Sequence, residues 1–366
     1  MDEQNAVPPA GAHTPPPPPP YWAYPPRKSW TRRFFGALGR LVFFLSILLN
    51  VYLFIALGTM AEGPKVDTTT LRPGRADQVI AVYDVRGVID EKAVESFRQF
   101  YRHVMGDPAV KAVVLRIDSP GGGVAASDEI HAMVGQLQTK GNKKVIVSMG
   151  GVAASGGYYI ACGAQEIYAE ETTITGSIGV LMGWPVLKGT LDKLGIEMVM
   201  MKSQDARGWK DAMSSLQRPD PRQRAYLQTL LDTMQKRFEG VVREGRGQRL
   251  VTRKVTYTIE VPASNEPNAA SMPVTQSDTE PLNGKIYLGA EAKAMGLIDA
   301  IGYQDAAIDR AAALAELNNP RVLRYESHRS LLQRMMGAEE RASLRLGPEL
   351  LDQLQSPRMM MLWKAD

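Results

Sequence analysis

The chain has 366 residues, 44% of them apolar and 22% charged, and a formal net charge of +4. That is enough apolar sequence for one large α/β domain with appendages. Lys and Arg are scattered rather than gathered in one stripe, which argues against a nucleic-acid-binding face. The lone cysteine, Cys162, excludes an intramolecular disulfide framework and a cysteine-rich zinc site and leaves the redox compartment open.

Residues 1–33 read as a proline-rich tail on the cytoplasmic side. The unbroken run Pro15 to Pro20, followed by Tyr21, Trp22, Tyr24, Pro25 and Pro26, predicts an extended, solvated segment, because proline fixes φ and lacks an amide proton. The alternative is a ligand for an aromatic-grooved proline-binding domain. Next comes LVFFLSILLNVYLFIAL, the 17 uncharged residues from Leu41 to Leu57, which with its flanks predicts a transmembrane helix over 34–61. Arg27, Lys28, Arg32, Arg33 and Arg40 precede it, and Glu62, Lys65 and Asp67 follow it. The positive-inside bias places the N-terminus in the cytoplasm and the rest of the chain outside. A cleavable signal peptide is disfavoured by the long N-terminal extension.

Residues 62–77 read as a linker. From Gln78 the pattern becomes short β-branched runs: VIAVYDV near 80, VKAVVLRI near 112, KKVIVSM near 145, EIYA near 167 and IEMVMM near 198. The stretches EKAVESFRQFYRHVM and SDEIHAMVGQLQT between them carry helical periodicity. Alternating strand and helix predicts an α/β domain with a parallel sheet, over 78–320. A helix is predicted from Pro221 to about Glu244, capped by Asp220, with Leu227, Leu231, Met234, Phe238 and Val242 as its apolar stripe. Residues 262–283 read as a polar surface insertion, and 321–366 as a C-terminal extension ending in the apolar stretch Arg358 to Trp363. That stretch either packs on the protein's own surface or occupies the substrate groove of its own or a neighbouring subunit.

Three small-residue segments stand where strands should end. Asp118-Ser119-Pro120-Gly121-Gly122-Gly123 has a backbone free to turn and to aim amides at a ligand; no Lys-Ser/Thr pair follows, so it is not a nucleotide P-loop. Gly150 to Tyr159 places Ser155 at a strand-to-helix turn, where a serine is either a cap or a nucleophile. Thr175 to Val180 (TGSIGV) is the third, with Lys210 downstream in GWKDA. A lysine acts as a base only as the neutral amine, which requires burial. His13, His103, His131 and His328 carry no triad signature, and no HExxH is present.

SPGGG at 119–123, GGVAASGGYYIAC at 150–162, TGSIGV at 175–180, KSQDARGWKDAM at 202–213, GRGQ at 245–248 and KIYLGAEAKAMGLIDAIG at 285–302 stand in one order and spacing. Together they closely resemble the signal peptide peptidase A group of the S49 serine peptidase family, over roughly residues 78–310. The resemblance implies a ClpP/crotonase-like superhelix of ββα units, membrane-anchored and assembled as a homo-oligomeric ring or dome. It implies Ser155 as nucleophile, Lys210 as general base, Gly122 as an oxyanion-hole amide and Ser177 as the residue orienting the lysine. Gly156 is a physically plausible second oxyanion donor. Lys202 matches a separate, non-catalytic lysine, although extra residues separate it from Lys210 in this chain. The implied substrates are signal peptide remnants or other hydrophobic, unfolded peptides near membrane lipid, with no cofactor or metal. The rival classes are a non-catalytic membrane scaffold of the same fold and acyl-CoA chemistry of the crotonase type.

Overall fold

A computed structural model describes residue 20 and residues 30–61, 66–262, 271–327 and 358–362. Apart from Pro20, the proline-rich reading lies outside the described residues up to residue 29. The chain divides into two units, Met1–Gly63 and Pro64–Asp366. The described residues of the first form the helix α1 (Trp30–Ala61) apart from Pro20, and its stretch Phe34–Phe54 has a mean hydropathy of 2.0 and is long and apolar enough to cross a membrane.

The second unit is a mixed α/β domain, as expected. Its first half runs β1 (Val66–Arg72), β2 (Arg75–Arg86), α2 (Glu91–Gly106), β3 (Val110–Ser119), β4 (Gly121–Gly123), α3 (Val124–Thr139), β5 (Lys144–Ala154) and α4 (Gly156–Ala161). There follow β6 (Glu166–Ala169), β7 (Ile174–Gly176), β8 (Leu181–Gly183), α5 (Lys188–Lys193) and α6 (Pro221–Arg246). The remainder is β9 (Arg253–Pro262), β10 (Ser271–Glu280), β11 (Ile286–Tyr287), α7 (Gly289–Ala294), β12 (Ala300–Ile301), α8 (Gln304–Leu314), β13 (Pro320–Ser327) and β14 (Arg358–Leu362). The main sheet has the order β1-β13-β2-β3-β5-β6-β12, with β7 beside the end of β5 and β11 on β7. From β13 to β12 every neighbouring pair is parallel, and β1 joins antiparallel at the edge.

The apolar runs are nearly continuous because both faces of this sheet are covered. Ala81, Tyr83 and Val85 of β2 face a large core with Phe97 and Phe100 of α2 and Ile130 and Val134 of α3. The alternate residues Ile80 and Val82 face a second core with Ala307, Ile308 and Ala311 of α8. The helix read from Asp220 is α6. Asp220 accepts from Gln223 N (2.8 Å), and Gln223 Oε1 accepts from Asp220 N (3.0 Å), closing a capping box. Leu227, Phe238 and Val242 are buried along its stripe, whereas Leu231 and Met234 are half-buried.

Several boundaries differ from the sequence reading. Residues 66–72, taken as linker, form edge strand β1; its Thr-rich, exposed sequence hides a strand that buries little. Residues 271–280, taken as insertion, pair with β9 in a two-stranded ribbon whose residues are mostly exposed, so no apolar alternation marks it. Residues 263–270 of that insertion lie outside the described residues. Residues 321–327, assigned to the extension, belong to β13 inside the main sheet, where Val322 and Tyr325 are buried. The run near 198 is not a strand: Ile196 to Met201 finds no sheet neighbour among the described residues, and Val199 and Met201 are 80% and 95% exposed.

A buried ion pair ties the end of α6 to the sheet. The fully buried Arg246 sends two guanidinium N–H groups to Asp299 at 2.9 Å each and a third to Gly296 O at 2.8 Å. Asp299 also accepts from Ile167 N at the start of β6 (2.7 Å) and from Arg249 (2.9 Å). Burial pushes the Asp299 carboxyl up, but the Arg246 hydrogen bonds and charge outweigh it and hold it below the usual aspartate range. Because the folded value is depressed, this stabilisation is complete above the unfolded value near ~3.9 and drains as pH falls through the folded one. Asp299→Asn should cost about 3–5 kcal/mol near neutrality, since Arg246 is left buried and unpaired. Melting curves at pH 7 and pH 3 test this: the variant's deficit shrinks in acid, and equal melting at pH 7 contradicts the assignment.

Candidate active site

The SPGGG segment is framed before any substrate arrives. Ser119 Oγ donates to Gly87 O (2.6 Å) and accepts from Gly121 N (3.1 Å), fixing the bend between β3 and β4. On one edge of β4, Ile89 N donates to Gly121 O (2.9 Å) and Gly123 N donates to Ile89 O (2.8 Å). Backbone alternation therefore turns the N–H and C=O of Gly122 to the opposite edge. A Cβ at Gly122 would fall 2.1 Å from Ile89 O, so only glycine permits this approach.

Ser155 sits between β5 and α4 with φ 51° and ψ −115°, a conformation of the kind that persists only where surrounding structure enforces it. The enforcement is visible. Ser155 N donates to Gly176 O (2.8 Å), and Ser155 O accepts from Tyr159 N (2.8 Å) as the helix starts. Thr175 Oγ1 donates to Ala153 O and Thr173 Oγ1 to Gly150 O, both at 2.7 Å, clamping β7 to β5. Ser155 is fully buried, and its Oγ has no hydrogen-bond partner among the described residues. A Cβ on Gly156 would stand 3.1 Å from Gly122 N and 2.4 Å from Ser127 Oγ, so the two glycine segments meet here. Ser177 follows Gly176, the register partner of Ala154, and is itself held at φ 51° with its N–H on Lys285 O (2.8 Å). The fold thus gathers Ser155, Gly122 and Gly156, with Ser177 one residue beyond the β5–β7 pairing.

Lys210 makes no hydrogen bond to Ser155. It is exposed, in the turns between α5 and α6, and Ser155 Oγ has no partner within the described chain. Its neighbourhood is nevertheless built. Trp209 packs against Tyr226 (5.2 Å between ring centroids) and under the Arg222 guanidinium (4.4 Å). The buried Asp211 accepts from Lys202, Gln217 and Gln223, and the Lys202 hydrogen bond holds its carboxyl below the usual range. Lys202 is therefore committed to an ion pair, leaving Lys210 as the lysine of this segment without one among the described residues.

Two other nucleophile or base candidates recede. Burial pushes the Cys162 thiol up to about 12, which disfavours the thiolate. His131 packs edge-on to Tyr159 (5.2 Å), and burial lowers its pKa; it does not bond Ser155.

The C-terminal stretch forms β14. This strand runs antiparallel to both β4 and β8, pairing Met361 with Gly122 and Met360 with Leu181, and so becomes the middle of a three-stranded sheet. The edge of β4 that it covers is the one to which Gly122 presents its N–H and C=O. The sequence reading missed β8 and Ser127: three residues are too few for a periodicity signal, and a serine in a helix's first turn looks like any other.

Residues 137–256 match the family model of Peptidase family S49. A putative signal peptide peptidase SppA of Enterococcus faecium is 30% identical over 274 residues, 72% of this chain and 71% of that protein. A putative protease of Synechocystis is 34% identical over 230 residues, covering 62% of this chain and 72% of its own length. Protease 4 of Salmonella typhi is 31% identical over 230 residues, but the chain spans only 32% of it. Among solved structures, a membrane-bound stomatin-specific protease mutant holding a substrate peptide aligns at TM-score 0.36 and 14% identity, over 72% of this chain and 99% of that one. With two relatives at or above 30% identity covered over more than two thirds of their length, the chain belongs to the S49 signal peptide peptidase family and is a serine peptidase.

Proposed function

We propose that this protein is a membrane-anchored endopeptidase in which Ser155 attacks the peptide carbonyl and Lys210 is its general base. Its substrates are signal peptide remnants or other hydrophobic, unfolded peptides. The observation that carries the reading is β14: an extended segment lies along β4, opposite the Gly122 N–H, near the strained Ser155, whose Oγ has no hydrogen-bond partner among the described residues. Strand addition of this kind reads the peptide backbone and admits only unfolded chain.

A substrate lying as β14 does sets a carbonyl on the Gly122 amide. Neutral Lys210 removes the Ser155 Oγ proton as that oxygen bonds the carbonyl carbon. The amides of Gly122 and Gly156 receive the oxyanion, and Ser177 orients the amine. The resulting ammonium gives its proton to the leaving amine as the C–N bond breaks. A water molecule, deprotonated by the same lysine, then releases the acyl group.

We further propose that Lys210 reaches Ser155 of an adjoining copy in a homo-oligomer. Supporting this, Lys210 is exposed, and the segment that precedes it in the chain exposes the apolar side chains of Leu194, Ile196, Met198, Val199, Met200 and Met201. The helix α1 and the arginines before it support a single-pass anchor with the N-terminus cytoplasmic and the peptidase domain outside.

Ser155→Ala and Lys210→Ala should each lose roughly four to six orders of magnitude in kcat. A fluorophosphonate probe should label the native chain and not Ser155→Ala; equal labelling of both discards Ser155 as nucleophile. Mixing the two inactive variants after dissociation and reassembly restores hydrolysis if the dyad spans two copies, whereas a dyad within one chain gives none. Deleting residues 358–366 should lower the apparent KM for an added peptide about tenfold or more, because a tethered competitor acts at an effective concentration on the order of millimolar. An unchanged KM would mean that β14 does not compete with substrate.

A further inference from the structure

Ser127 lies in the first turn of α3, four residues beyond the SPGGG segment, and belongs to none of the roles above. Its residue exposure is zero, and its Oγ has no hydrogen-bond partner among the described residues. Hydroxyls so buried are nearly always bonded, and a helical serine has an easy local choice in the carbonyl four residues back. Ser127 does not take it. Its Oγ stands instead 2.4 Å from the position a Cβ on Gly156 would occupy, and Gly122 N stands 3.1 Å from that same point. The hydroxyl thus fills the notch left by the missing side chain of Gly156, the same notch that Gly122 N borders.

The same point explains Gly156 itself. Gly156 follows the strained Ser155 and starts α4. A methyl group there would collide with Ser127 Oγ, so glycine is required to bring the hydroxyl close. Ser127 and Ser155 are two fully buried serines whose hydroxyls both lack hydrogen-bond partners among the described residues, and they flank one glycine at the meeting of the two glycine segments. One seeks a carbonyl carbon as nucleophile; the other is free to donate.

We infer that Ser127 supplies a third hydrogen-bond donor, its Oγ–H, to the substrate oxygen that becomes the oxyanion, alongside the amides of Gly122 and Gly156. The inference rests on the proposed reading of Ser155 as nucleophile. Because the hydroxyl acts where negative charge develops, its contribution is larger in the tetrahedral state than in the bound peptide.

The test uses the full-length chain. Ser127→Ala should lower kcat roughly ten- to a hundredfold, toward the range known for loss of one oxyanion donor, with KM nearly unchanged. A peptide aldehyde, which forms a tetrahedral adduct with the serine, should bind Ser127→Ala weaker by a similar factor. Affinity for the unmodified peptide, measured by anisotropy in a Ser155→Ala background, should be the same with and without Ser127→Ala. The melting temperature should not fall, because the hydroxyl has no partner to lose. Ser127→Cys, a weaker donor of similar shape, should give an intermediate rate and serves if the alanine variant does not fold. Wild-type kcat and aldehyde affinity in Ser127→Ala, or in Ser127→Cys where only that variant folds, overturn the inference. Parallel losses of aldehyde affinity, plain-peptide affinity and melting temperature also overturn it, since they indicate a packing role. If Ser155→Ala itself keeps activity, the reading of the nucleophile fails instead, and the two failures are told apart.

Discussion

The site depends on how closely two backbones approach. At Gly122 a single methyl group would overlap Ile89 O, and at Gly156 it would overlap Ser127 Oγ while standing close to Gly122 N. No side chain fits between β4 and the start of α4. That absence brings the Gly156 backbone, next to Ser155, close to Gly122 N and the Ser127 hydroxyl. A wider separation would leave amides too far apart to bind one oxygen, and preorganised donors of this kind are what electrostatic catalysis requires.

The rest of the domain holds that corner still. The parallel strands β2, β3 and β5 are packed on both faces by two separate cores, and the ends of β3 and β5, where β4 and Ser155 begin, are held by the larger one through Ile117, Met149 and Ala153. Thr173 and Thr175 lock β7 onto the last turn of β5, and the Ser155 N–H is spent on Gly176 O. These bonds hold the backbone of Ser155 at φ 51°. A residue left to itself abandons such a conformation, so the strain is carried by neighbours that have no part in the chemistry.

What surrounds the corner is less complete in one chain. The segment from 194 to 201 keeps apolar side chains in solvent, and Lys210 stands exposed beyond it, with Lys202 spent on Asp211. An enzyme assembled from several copies would cover that surface and finish the site in one step, making activity conditional on assembly. The strand β14 adds a second condition, because it lies along the edge of β4 that the proposed substrate needs. Both arrangements fit a peptidase that must spare folded neighbours.

The sequence by itself determined the sheet strands with unbroken β-branched runs, the capped α6 and the apolar α1, because each of these carries a local or periodic signal. It also marked Ser155, Gly122, Ser177 and Lys210, through motifs whose order resembles one peptidase family. It misjudged β1 and β10, whose residues are polar and exposed, and residues 321–327 of β13, and it read a strand at 198 where the apolar residues have no strand partner among the described residues. Only the tertiary structure decided that Ser127 meets Gly156, that β14 lies on β4, and that Lys210 is exposed without a hydrogen bond to the buried Ser155. The reason is physical: periodicity records which face of an element is buried, whereas a contact between residues far apart in the chain leaves no trace in the local pattern of either.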